Sequence, residues 1–123
     1  MEIIISNTQK ICTVQQAFRQ FFPYLSIEFF LIPPTSDQSS ALRFLISGSK
    51  TFGECRKKHL LEQISIHPRM TVAELEKMIS ENFGIGVQVF RQSGKVWLEA
   101  TFTDGWTLEQ QNSEGEALSK VAV

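Results

Sequence analysis

A Thr-x-x-Glu/Gln string stands at Thr13–Gln16, Thr51–Glu54, Thr71–Glu74 and Thr107–Gln110. Such a string is the signature of a capping box, in which a threonine hydroxyl and the third following side chain satisfy each other's backbone donors at a helix start. The first and third strings open amphipathic stretches that lead into runs of β-formers; the second and fourth follow β-rich runs. The spacing repeats as well, with 58 residues from Thr13 to Thr71 and 56 from Thr51 to Thr107. The pattern predicts two copies of one supersecondary unit.

Read along the chain, Glu2–Ile5 is a short β-branched strand. Thr13 is the expected N-cap of a helix whose stripe is Val14, Ala17, Phe18, Phe21 and Phe22, and Pro23 stops it. Leu25–Ile32 reads as a strand ended by Pro33-Pro34, and Thr35–Ser40 as a polar loop. Leu42, Phe44 and Ile46 alternate on a second strand, and Thr51 caps a short helix to about Lys58. The second copy repeats the order. Gln63–Ile66 is its first strand. A helix follows from Thr71, with Val72, Leu75, Met78, Ile79 and Phe83 on one stripe and Gly84 at its end. Ile85–Phe90 pairs with Lys95–Phe102 through a tight turn, and Thr107 caps a last short helix. The equivalences run Ile27/Val87, Phe29/Val89, Phe30/Phe90, Ile46/Phe102 and Phe52/Leu108. Residues 2–66 alone follow the β-α-β-β-α-β order of a ferredoxin-like split unit.

The expected fold is α+β: two tandem β-α-β-β-α units with antiparallel hairpins, two main amphipathic helices and two short ones. Residues 1–123 form one domain made of repeats 1–60 and 61–112, with a partly disordered tail over 113–123. A domain of this length can build a core without metal or disulfide staples. The core material is aromatic, with ten Phe, two Trp and one Tyr.

Twelve basic and thirteen acidic side chains leave a formal net charge of −1, which supplies no general attraction for nucleic acid or an anionic membrane. No apolar run approaches the roughly 20 residues of a membrane span, and the apolar start at residues 1–5 is too short for a signal core. The two cysteines, Cys12 and Cys55, read as reduced, packed thiols of a cytoplasmic protein. His59 and His67 lack a second ligand at a metal-binding spacing, so neither a metal site nor a cofactor is expected. No catalytic pair emerges: Cys55 has no adjacent histidine, and neither Ser47-Gly48-Ser49 nor Gly84-Ile85-Gly86 is a phosphate loop.

Strand alternation supplies the candidate site. Leu25, Ile27, Phe29 and Leu31 share the helix-facing side with Val96, Leu98, Ala100 and Phe102. The opposite side then holds Phe30, Ile32, Leu45, Phe90 and Trp97. Aromatic side chains bury about 150–250 Å² each; at about 25 cal/mol per Å², covering two of them is worth several kcal/mol. The cover can be the other copy or a loop, a second molecule in a homodimer, an unknown protein partner, or a small molecule in a pocket. The expected function is a non-enzymatic protein-interaction module, self-associating through this aromatic face. The alternative is a small regulatory or nucleic-acid-associated factor that uses the basic run Arg56–His59, with Arg56, Lys57 and Lys58 as anion contacts. The same run also suits the C-terminal end of a helix, where cations face orphan carbonyls.

Over Thr71–Asn112 (Thr-Val-Ala-Glu-Leu-Glu … Phe-Gly-Ile-Gly-Val-Gln-Val-Phe-Arg … Trp-Thr-Leu-Glu-Gln-Gln-Asn) the chain resembles small, functionally uncharacterised bacterial proteins of similar length. The likeness extends into the first copy. It implies no activity.

Overall fold

The computed structural model describes residues 2–32 and 44–120. Within them the order is β1 (Ile3–Ser6), α1 (Ile11–Phe21), β2 (Leu25–Leu31), α2 (Phe52–Cys55), β3 (Gln63–Ile66), α3 (Val72–Phe83), β4 (Ile85–Ser93), β5 (Val96–Glu99) and α4 (Leu108–Lys120). The class is α+β, with antiparallel strands in two sheets. β1 pairs with β3, and β2, β4 and β5 form the second sheet in that order. Because β3 joins β1 alone, residues 2–66 do not close the single sheet of a ferredoxin-like unit. The expected strand around Leu42–Ile46 is represented by a bridge from Leu45 to Phe30 and a bond from Ile46 N to Phe29 O, 2.9 Å long. Leu42 and the segment from Pro33 to Ser40 lie outside the described residues.

The repeat is visible in three dimensions as a pseudo-two-fold. β1 and β3 meet with Ile4 opposite Ser65, and β2 and β4 with Glu28 opposite Gln88. Each pair consists of equivalent residues, 61 and 60 positions apart, as a two-fold between copies requires. The connecting hydrogen bonds repeat too. Ile11 N bonds Lys50 O and Val72 N bonds Trp106 O; Phe52 N bonds Gln9 O and Leu108 N bonds Met70 O; Gly53 N bonds Asn7 O and Glu109 N bonds Pro68 O. The helix cores match as Ile11/Val72, Val14/Leu75, Phe18/Ile79 and Phe22/Phe83, all buried. With Leu25, Ile27, Phe29, Ile85, Val87 and Val89 they form one contiguous apolar cluster.

This register corrects the sequence reading in four places. Thr13 is not an N-cap: α1 begins at Ile11, and its N-cap Lys10 makes no side-chain cap bond. The orphan donors Ile11 N and Cys12 N are instead satisfied by Lys50 O and Gly48 O, carbonyls from a distant loop. The other three strings do form reciprocal caps. Secondly, the partner of Ile46 is Ala100, whose N–H bonds Val89 O at 3.0 Å; Phe102 is fully exposed in the turn that follows. Thirdly, Val96 and Leu98 are exposed, because α4 packs on β4 and leaves the four residues of β5 uncovered. Finally, the last helix is not short: α4 continues to Lys120, with Gly115 buried against Tyr24 and Arg91.

Gly86 and Gly84 are required by geometry. A Cβ on Gly86 would stand 2.2 Å from the Phe30 ring, which lies across it. Gly84 ends α3 at φ +69°, in the left-handed region.

A two-lobed aromatic sheet face as the candidate functional site

Directly opposed residues of a ladder share a face, so the registers define the outer side of the second sheet. Phe30 lies opposite both Gly86 and Leu45; Ser26 and Glu99 flank Phe90; Trp97 faces Gln92. The five expected residues therefore stand as two lobes. Phe30, Ile32 and Leu45 form one, and Phe90 and Trp97 the other. Phe30 and Phe90 are equivalent under the pseudo-two-fold, and each has a residue with little side chain beside it, Gly86 or Ser26, over which a ring can lie. Ile32 and Leu45 are each 47% exposed and Trp97 is 37% exposed, whereas Phe30 and Phe90 are half-buried.

Between the lobes the face is polar. Glu28 and Gln88 occupy its centre, and the Gln15 amide on α1 donates to Ile27 O at 2.9 Å and to Glu28 Oε2 at 3.1 Å. One turn further along α1, the Arg19 guanidinium lies 5.0 Å from the Trp97 ring centre. That contact holds the indole by cation–π attraction while leaving part of it in water. Beside it, Val96 and Leu98 add apolar surface to β5, the last strand of the sheet among the described residues. Such a surface offers apolar area and strand-edge peptide groups, the means of binding a macromolecule.

The basic run has a different fate. Arg56 is 6% exposed and is taken out of the candidate anion patch. Its Nε donates to Lys58 O, Nη1 to Asn7 Oδ1, and Nη2 to Leu61 O and Asn82 O, all within 2.9 Å. The guanidinium carbon sits 4.1 Å from the Phe83 ring centre. Lys57 N and Lys58 N both bond Phe83 O, so this segment closes the C-terminal end of α3, where unpaired carbonyls favour a cation. Lys57, Lys58 and His59 are exposed. The helix so closed is α3, not the short α2, which ends at Cys55 before the run and does not extend to Lys58.

A second buried polar cluster was not legible in advance. Arg91 donates to Gln111 Oε1 at 2.8 Å and lies over Trp106, while Gln111, fully buried, donates to Thr103 O at 2.6 Å. It ties the 100–107 segment to β4 and α4. Its only signal in the sequence was a glutamine in an otherwise apolar position of α4.

Burial pushes the Cys55 thiol up from its ordinary value, and the Glu54 carboxylate adds to the effect, so the thiolate is disfavoured. Among the described residues no group of three or more His, Cys, Asp or Glu side chains is placed to hold a metal. No helix among them is long and apolar enough to cross a membrane. No protein-family model, no curated protein and no solved structure matches the chain.

Proposed function

We propose that the protein is a non-enzymatic, cytoplasmic interaction module that associates with a second copy of itself through the two-lobed sheet face. The observation that carries this reading is the joint exposure of Ile32, Leu45 and Trp97 around the half-buried rings of Phe30 and Phe90. A face already arranged about a pseudo-two-fold is suited to an isologous contact. The Phe30 lobe of one molecule can lie on the Phe90–Trp97 lobe of the other, and the reverse, in one closed pair. The central Gln88 then meets its own counterpart, an amide that both donates and accepts, while Glu28 stays held by Gln15.

Light scattering over a hundredfold concentration range tests it, with wild type beside Trp97→Glu. The new carboxylate stands near Arg19, which offers it a cationic partner, so the fold is expected to survive. A wild-type dimer that becomes a monomer in Trp97→Glu, with unchanged circular dichroism, supports the proposal. A wild-type monomer at every concentration, or a folded Trp97→Glu dimer, overturns it.

A further inference from the structure

The repeat also exposes a vacancy. In the first copy the Arg56 side chain occupies the space between Asn7, Phe83 and the last carbonyls of α3. The repeat register places Asn112 at the position of Arg56, Phe22 at that of Phe83, Phe21 at that of Asn82 and Pro68 at that of Asn7. The bond from Arg56 N to Phe52 O and the helical position of Asn112 after Leu108 agree with this pairing. Asn112 is too short to fill the space. Its Oδ1 turns instead to Tyr24 N, 2.9 Å away. What remains is an open cleft of about 890 Å³, walled by Phe21, Phe22, Glu74, Glu109 and Asn112 and reached past His67 and Arg69.

We propose that this cleft binds a guanidinium group, supplied as arginine from outside the chain, where Arg56 lies in the first copy. The chemistry of the two sites corresponds. Phe22, the counterpart of Phe83, lines the cleft but is only 4% exposed; the half-buried Phe21 beside it, 6.2 Å between ring centres, offers the ring to a flat cation. At the end of α1, Phe21 O stands at the position of Asn82 O, which accepts from Arg56, while Phe22 O already accepts Leu25 N. Pro68 cannot replace the acceptor Asn7, but Glu109 and Glu74 add carboxylates that the first copy lacks at Gly53 and Thr13. Glu74 Oε1 accepts Thr71 N at 3.3 Å in the α3 cap, which leaves its second oxygen for a ligand. Glu109 is exposed at the cleft wall. Arg69 opposes a cation at the rim, and there it suits the α-carboxylate of the free amino acid. His67 is turned toward Glu2, 3.5 Å away.

The test is titration followed by backbone amide shifts, with L-arginine, Nα-acetyl-arginine methylamide and citrulline as probes. Shifts at Phe22, Glu109 and Asn112 with either arginine form, and binding of citrulline at least about tenfold weaker, support the proposal; the tighter arginine form tells whether the source is the free amino acid or a peptide side chain. Glu109→Gln, an exposed change, is expected to weaken binding by about tenfold through loss of a charge-assisted bond. Asn112→Arg is expected to fill the cleft from within and abolish binding. Citrulline binding as well as arginine, no shift at millimolar arginine, or a folded Glu109→Gln protein that binds like wild type overturns it; if Asn112→Arg does not fold, Glu109→Gln decides.

Discussion

The two halves of this protein share a frame and differ in how they finish it. In each, the first turn of the main helix is closed by carbonyls from the loop before the second helix, and the two helix starts are bridged, Lys10 to Thr51 and Thr71 to Thr107. Beyond that point they part. The first half stops its second helix after four residues and sends Arg56 across to α3; the second extends it to thirteen residues and leaves a cleft. The frame is made of ladders and backbone bonds that both copies need. The end of each second helix differs with what it packs on: after the short α2, Arg56 reaches Asn7 and the end of α3, whereas the longer α4 lies along β4.

The largest expected contrast is at the paired positions 56 and 112. Arg56→Met strips a buried guanidinium from four acceptors and is expected to cost about 2–4 kcal/mol in urea unfolding. Asn112→Ala loses a single bond to Tyr24 N and is expected to cost about 1 kcal/mol. Equal costs would break the comparison. Next comes the sheet face, where Gly86→Ala forces the Phe30 ring aside at about 1–3 kcal/mol. Its counterpart Ser26 already carries a Cβ beside Phe90, so Ser26→Ala should stay within about 0.5 kcal/mol. The aromatic shifts of Phe30 and Phe90 report which ring moved.

Smaller effects sharpen the helix starts. Thr71→Ala removes a formed cap and is expected to cost about 1 kcal/mol. Thr13→Ala, at an exposed position inside α1, should change stability by less than about 0.5 kcal/mol. Thermal melts of the two variants separate a real cap from its sequence likeness. The smallest effect sits where Glu76 replaces the first copy's Gln15. Burial raises the Glu76 pKa above its ordinary value, and Asp104 adds repulsion. The folded protein therefore holds a proton more tightly there than the unfolded chain does. The resulting penalty is complete above the folded pKa and vanishes below the unfolded one. Glu76→Gln should be slightly more stable than wild type at neutral pH, and the gain should fade as the pH drops through the carboxylate range. A gain that is constant with pH would assign the effect to packing alone.

Much of the frame was legible. The strands at Gln63–Ile66 and Leu25–Leu31, the stripe of α3, and the caps at Thr51, Thr71 and Thr107 all follow from signals within a few residues of one another. The outer-face residues Phe30, Leu45, Phe90 and Trp97 were found by alternation, because a pleated strand sends neighbouring side chains to opposite sides. The same rule failed at Val96, Leu98 and Phe102. Alternation says which residues share a side, but burial requires a covering element, and α4 covers β4.

By itself, then, the sequence determined the repeat, the α+β class, the local caps and the two sides of each strand, since these depend on backbone sterics and on bonds within one turn or one strand. Only the tertiary structure decided that α1 starts at Ile11 and not at Thr13, because its first donors are paired by Lys50 and Gly48, nearly 40 residues along the chain. It alone decided that Arg56 is a buried clasp on α3, and that the same place in the second copy stands open. A charged side chain chooses between water and the interior by the acceptors that surround it, and those acceptors come from parts of the chain that only the folded molecule brings together.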